Sequence, residues 1–181
     1  MEEYLDVLDE NGNPTGRTKL KSEIHRDGDW HKTVHIWIIN HKGELLIQKK
    51  SPDDYNFSNL FDISSAGHIS AGEKSVDAAM REIGEELGLN IPEKNFEYLF
   101  TVAQKYRSDK LAYINNEFGD VYLIKMELDS SKLKLQKEEL AEVKFMHYKE
   151  LEKIISENNK EFIPHPEEYE KLFEKLRTLN F

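Results

Sequence analysis

The chain has 181 residues, 38% hydrophobic and 33% charged, which suits one globular domain with a sizeable core. A formal net charge of −10 argues against nonspecific binding to a nucleic acid polymer or an anionic membrane surface, and repels anionic substrates unless metal ions or a local basic patch intervene. Cysteine is absent, which excludes disulfides, zinc–thiolate sites and a cysteine nucleophile. No stretch approaches the roughly 20 apolar residues that cross a bilayer. Residues 1–10, MEEYLDVLDE, lack a basic segment followed by an apolar run, so a cytoplasmic protein is expected.

In chain order, residues 4–8 read as a short strand and Asp9–Pro14 as a turn. Residues 17–31 carry mixed charge and hold His25, Trp30 and His31. Lys32–Ile39 alternates and is β-branched, Asn40–Gly43 is a turn, and Glu44–Lys49 returns as a second strand with Leu45 and Ile47 on one face. Residues 51–61 form a polar loop ending in aromatics. After a helix around 76–87, Pro92 marks a break. Phe96–Tyr106 and Val121–Leu128 read as strands, with 107–120 as a loop between them, and Val143–His147 as another strand. Tyr148–Asn158 and Pro166–Leu179 read as helices, the second opened by a proline suited to a first helical turn, with Tyr169, Leu172, Phe173 and Leu176 as its docking stripe. The pattern predicts an α/β sandwich with a mixed sheet and no internal repeat.

Gly67–Leu89 carries the chemistry. Val76, Ala79, Met80, Ile83 and Leu87 recur at helical spacing, with Ser75 as N-cap and Gly88 as stop. At roughly 100° per residue, Glu82, Glu85 and Glu86 fall within one arc of about 100° beside that stripe. Like charges at i, i+3 and i+4, two of them in the last turn, are unfavourable for a helix by itself. A solvated acidic face is the plain alternative; divalent cations remove the objection, because hard ions take carboxylate and phosphate oxygens together.

The whole stretch reads G-x5-E-x7-R-E-I-x-E-E-x-G-L, from Gly67 through Gly72, Glu73, Arg81 and Glu82 to Leu89. It resembles the Nudix box of the Nudix hydrolase superfamily at nine specified positions. The resemblance implies an α/β/α sandwich with a central mixed sheet and a loop–helix–loop box. It describes a single Nudix domain over 1–181, with an N-terminal extension of about 1–30 and a C-terminal helical one of about 160–181. It also implies Mg²⁺- or Mn²⁺-dependent hydrolysis of a phosphoanhydride bond in a small-molecule diphosphate. Glu85 and Glu86 are then the principal metal ligands, and Glu82 a ligand or the base that orients water. A backbone carbonyl at Ala66 or Gly67 would complete the site. Glu73 and Arg81 would tie loop to helix, with a phosphate contact as the alternative for Arg81. Gly67 and Gly72 would serve close approach or positive φ. A further carboxylate is expected from outside the box: Glu117 is favoured over Glu139, with Asp120 as an outside choice, and Glu139 and Glu142 read as solvated.

A second resemblance, to the type I isopentenyl diphosphate isomerase branch, covers roughly residues 4–145 through LDENGNPTG, SSAGHISAGE and NNEFGDVYLI. That branch holds a metal with histidines matching His25, His31 and His68, together with two glutamates. Each histidine alone reads as structural; the trio reads as a candidate site. The departures matter more. The isomerase's catalytic cysteine falls on Ala66, and one metal glutamate falls on Asn115 while Glu117 keeps the other. Its diphosphate-binding basic residues match Lys49 and Lys50, but the next lysine position falls on Asp54 or Tyr55. A full box without the cysteine favours hydrolysis over isomerisation, and a non-catalytic diphosphate sensor is a further alternative. Trp30, Trp37, Phe57, Tyr106 and Tyr113 are candidates to stack a base or to fill the core. Nucleoside diphosphate derivatives, prenyl diphosphates and thiamine diphosphate-like compounds all stay open. So do the general base, the number of metals and the oligomeric state, a homodimer included.

Overall fold

The computed structural model describes residues 2–54, 56–157, 159–179 and 181. Its organising strand is β3 (Trp30–Ile39), in which side chains alternate between two covered faces. Val34, Ile36 and Ile38 pack with Ala79, Ile83 and Leu87 of α2 (Ser75–Leu87). Trp37 and Ile39 pack the other way, against Leu151 of α3 (Tyr148–Ser156) and Leu172, Phe173 and Leu176 of α4 (Pro166–Arg177). The layers are therefore helix, mixed sheet, helix, as expected.

β3 runs parallel to β8 (Tyr113–Lys125), from Trp30 opposite Asn116 to Ile39 opposite Lys125. It runs antiparallel to β6 (Ser65–His68) and touches β1 (Tyr4–Leu8) at one end and β4 (Glu44–Lys50) at the other. β4 pairs with β9 (Leu140–His147) and β5 (Phe61–Asp62), and β7 (Glu97–Ser108) pairs with β8. β1 forms a hairpin with β2 (Pro14–Leu20), and its Leu5 and Val7 bury against Ile24 of α1 (Lys21–Asp27). Among the described residues no helix is long and apolar enough to cross a membrane.

Three expectations are corrected. The segment 107–120 is not a loop: β7 and β8 are joined by a short 3-10 turn at Asp109–Leu111, and the strand begins at Tyr113. Its inward positions are polar, Asn115 and Glu117, so the apolar alternation that signals a strand is missing. Of residues 17–31, read only as mixed charge, the part up to Asp27 falls in β2 and α1; β2, which starts at Pro14 in the expected turn, is an exposed polar edge strand without an apolar face. Ser75 is the first helical residue, with Lys74 at the N-cap position, and its hydroxyl accepts from Tyr122 Oη at 2.9 Å instead of capping. The expected C-terminal end of α3, Asn158, lies outside the described residues, and the helix is described to Ser156.

Candidate active site

The loop before α2 is held by backbone demands that only glycine meets. Gly72 has φ +75°, and its N–H donates to Asp6 Oδ2 at 2.9 Å. A Cβ on Gly67 would lie 2.0 Å from Glu82 Cδ, so the glutamate occupies the space a side chain would need. Arg81 Nε and Nη2 donate to the two Glu73 oxygens at 3.1 and 3.0 Å, and Nη2 also donates to the His68 carbonyl at 2.9 Å. Its Nη1 reaches Glu82 at 2.7 Å and Glu85 at 3.2 Å. Arg81 thus spends its donors on loop and helix acids. The phosphate contact offered as its alternative would need those bonds to be exchanged.

The three box glutamates grade from water to core. Glu85 is exposed, Glu82 half-buried and Glu86 buried, 1% exposed. Glu86 was expected beside the apolar stripe; it is buried together with Ala79, Ile83 and Leu87 on the covered face of α2. Both of its carboxylate oxygens are buried without a hydrogen-bond partner. Burial raises Glu86 to about 7, against a partial offset from Lys50, and raises Glu82 to about 7 against Arg81. A buried acid with unmet acceptors, two further carboxylates and a close glycine turn fits a hard divalent cation.

Beside the box, a cleft of about 850 Å³ opens over the sheet face that carries the odd-numbered residues of β3. Under α4 that face is apolar at Trp37, Ile39, Val121 and Leu123. Where α4 begins it turns polar, with His31, Thr33 and His35 on β3 beside Asn115 and Glu117 on β8. Glu117 is buried and accepts from Asn115 Nδ2 at 2.8 Å. Burial pushes its carboxyl up, but His35 outweighs this and holds it at about 2. Ala66, on the cysteine position of the isomerases, lines the cleft with no proton to move.

His25, His31 and His68 converge so that their nearest ring nitrogens lie within 4.8 Å of one another. His25 Nε2 is 3.1 Å from His68 Nε2, and His31 Nε2 is buried without a partner. Burial keeps all three neutral: His25 falls to about 4, with His31 adding to the effect, His31 is lowered, and His68 lies well below the ordinary value. Neutral imidazoles can take a metal ion through a ring nitrogen, and among these the His31 Nε2 is buried without a partner.

Other sequence candidates separate by face. Lys50 lines the cleft and lies 3.7 Å from Asp62, whereas Lys49, one residue earlier, points the other way over the Phe61 ring, 5.3 Å from its centroid. Its expected place on the diphosphate is corrected accordingly, since neighbouring strand residues face opposite sides. Asp120 likewise faces away from the cleft, accepting from Thr101 Oγ1 at 2.6 Å. Glu139 is exposed yet lines the cleft, and Glu142 is exposed outside it. Phe57, Tyr106 and Tyr113 line the cleft, Tyr113 stacked on His25 at 4.4 Å; Trp37 is core and Trp30 stacks on Phe118. Asp54 lines the cleft; Tyr55 lies outside the described residues. The sequence reading missed Lys21, Asp62, Gln104 and His165, which also line it. Only position could have signalled them: His165 directly precedes the helix-opening Pro166, and the others carry no local mark.

A family model described as the NUDIX domain matches residues 29–166. Nudix hydrolase 3 of Arabidopsis thaliana is 41% identical over 97% of this chain, which spans only 23% of that protein's length. An uncharacterized Nudix hydrolase of Listeria monocytogenes is 38% identical over 91% of this chain and 90% of its own. Isopentenyl-diphosphate Delta-isomerase 2 of Photorhabdus laumondii is 37% identical over 52% of each chain. In structure, DR0079 from Deinococcus radiodurans superposes with a TM-score of 0.68 at 20% identity, covering 97% of this chain and 98% of that one, which supports the shared fold. The chain belongs to the Nudix family and is a Nudix hydrolase, with similarity to the isopentenyl diphosphate isomerases of the same superfamily.

Proposed function

We propose that the protein is a divalent-metal-dependent hydrolase, using Mg²⁺ or Mn²⁺, that cleaves the diphosphate linkage of a nucleoside diphosphate derivative or another organic diphosphate. The observation that carries this reading is Glu86, a buried carboxylate with neither oxygen bonded, set beside Glu82 and Glu85. Divalent cations, when bound, supply charge neutralisation at the phosphate oxygens and a more acidic water. Glu82, Glu85 and Glu86 would hold them, with the backbone at Gly67. Lys21 and Lys50, both lining the cleft, would face the diphosphate. Glu82 or Glu117 would take the proton of the attacking water. Alignment and charge stabilisation in a partly desolvated cleft would supply most of the rate. The reading treats residues 1–181 as one domain working in the cytoplasm. The test is a phosphate-release screen over diphosphate compounds with Mg²⁺ and Mn²⁺, with and without a coupled phosphatase. Glu85→Gln and Glu86→Gln should each lower kcat by about a hundredfold or more while the unfolding midpoint persists. Wild-type turnover in both variants would overturn it.

The neutral histidine cluster supports a second divalent site, completed by Glu117, with Asn115 where the isomerases have a carboxylate. Mn²⁺ titrated into the protein should then occupy a site that His68→Ala removes and Glu86→Gln leaves filled. Identical stoichiometry in wild type and His68→Ala would exclude it. Isomerase activity is disfavoured by Ala66.

A further inference from the structure

The polar end of the cleft is tied to the C-terminal helix by buried charged groups that the hydrolytic reading leaves without a task. Glu168, in the first turn of α4, is 0% exposed. Its Oε2 lies 2.6 Å from His35 Nδ1, and its Oε1 accepts from Trp37 Nε1 at 2.8 Å. Gln104 Nε2 adds a contact at 3.3 Å, and the Gln104 Oε1 lies 2.9 Å from His165 Nδ1. The other nitrogen of the His35 ring points towards the site, with Nε2 at 3.6 Å from Glu117 Oε1. The ring lies over Gly119, where any Cβ would come within 3.2–3.3 Å of three ring atoms.

The geometry points to Glu168 and His35 as positioning residues: the C-terminal helix, through the His35 imidazole, fixes the orientation of the Glu117 carboxylate in the cleft. Two carboxylates flank one imidazole, Glu168 within hydrogen-bond distance of Nδ1 and Glu117 in ion-pair range of Nε2. Glu168 sits where the helix dipole favours an anion, so it anchors the pair from the helix side. Trp37 fixes its second oxygen. Glu117 accepts from Asn115 Nδ2 on one side and faces His35 Nε2 at 3.6 Å on the other, so the His35 ring sets the second boundary of its carboxylate. The same atoms would serve a purely structural tie between α4 and the sheet, and the two roles differ in what they couple to.

This inference rests on the hydrolytic reading through Glu117, and the experiment separates the two. Glu168→Gln keeps the acceptor for Trp37 but removes the charge opposite His35. With a substrate from the screen, kcat should fall by about 10–100-fold with KM within about threefold. Combined with Glu117→Gln, it should cost nothing further, because Glu168 acts through Glu117. Additive losses, or kcat unchanged in Glu168→Gln, would overturn the inference and leave the hydrolase intact. His35→Gln is the second variant if Glu168→Gln lowers the unfolding midpoint too far, and the same non-additivity with Glu117→Gln is expected. If the wild type hydrolyses nothing, the hydrolytic reading fails by itself. The clamp is then read by NMR from the strongly deshielded His35 Nδ1 proton, which should vanish in Glu168→Gln and shift in Glu117→Gln. A His35 signal indifferent to Glu117→Gln would overturn the clamp.

Discussion

A carboxyl group taken out of water holds its proton until something replaces the lost solvation, and in this cleft two acids are in that position. Glu82 and Glu86 both stand near 7 because of burial, with Arg81 and Lys50 offsetting only part of it. Their folded values lie above the unfolded value of 4.5, so the metal-free folded state binds more protons than the unfolded chain between about pH 4.5 and 7. Stability is therefore lost as pH rises through that window and levels off above it. Glu117, held at about 2, acts in the opposite sense: its contribution is present above 4.5 and is lost as pH falls towards 2. The two raised acids together should make the chelated protein on the order of 1–3 kcal/mol less stable at pH 8 than at pH 5. Urea unfolding at both pH values measures this, and millimolar Mg²⁺ or Mn²⁺ should shrink the difference. A flat profile in chelator would count against buried, protonated box acids. At this scale the box residues were legible because their chemistry is written into fixed local spacing. Lys21, Asp62, Gln104 and His165 were not, since each reaches the cleft from a different element and carries no motif of its own.

Elements were legible where one side of the chain meets apolar core. α2 shows its stripe and its stop, and β3 shows its alternation, because both bury hydrophobic faces. The first half of β8 failed as a strand for the reason that makes it useful, since its inward residues are polar and line the cleft. Two glycines of α2 allow a test of how local geometry decides sign. Gly88 closes the helix at φ +69°, donating its N–H to the Gly84 carbonyl at 3.1 Å, and a Cβ there would lie 2.8 Å from Lys134 Cβ. Gly84 is exposed in the helix interior, and a Cβ there meets only the Leu89 carbonyl oxygen at 3.6 Å. Gly88→Ala should destabilise by about 1–2 kcal/mol, whereas Gly84→Ala should stabilise by about 0.5–1 kcal/mol. Thermal unfolding of the two variants checks the opposite signs.

On the scale of the molecule, the layer order and the mixed sheet followed from the order of periodic segments, while the depth of the cleft did not. That depth is set by where α4 starts along the sheet, a contact between residues more than a hundred positions apart. The overall charge of −10 also hides how charge is arranged: Lys21, Lys50, Arg81 and Lys105 all border the cleft. Among them Arg81 stands apart, because one guanidinium already answers Glu73, Glu82 and Glu85. Glu82 and Glu85 thus already share one internal counter-ion, whereas Glu86 has no bonded partner. An incoming divalent ion would have to arrive by exchange, prising two of those carboxylates from a tethered placeholder that remains nearby to reclaim them. Affinity for the ion can then be tuned by the strength of that placeholder's hold, with every liganding oxygen left unchanged.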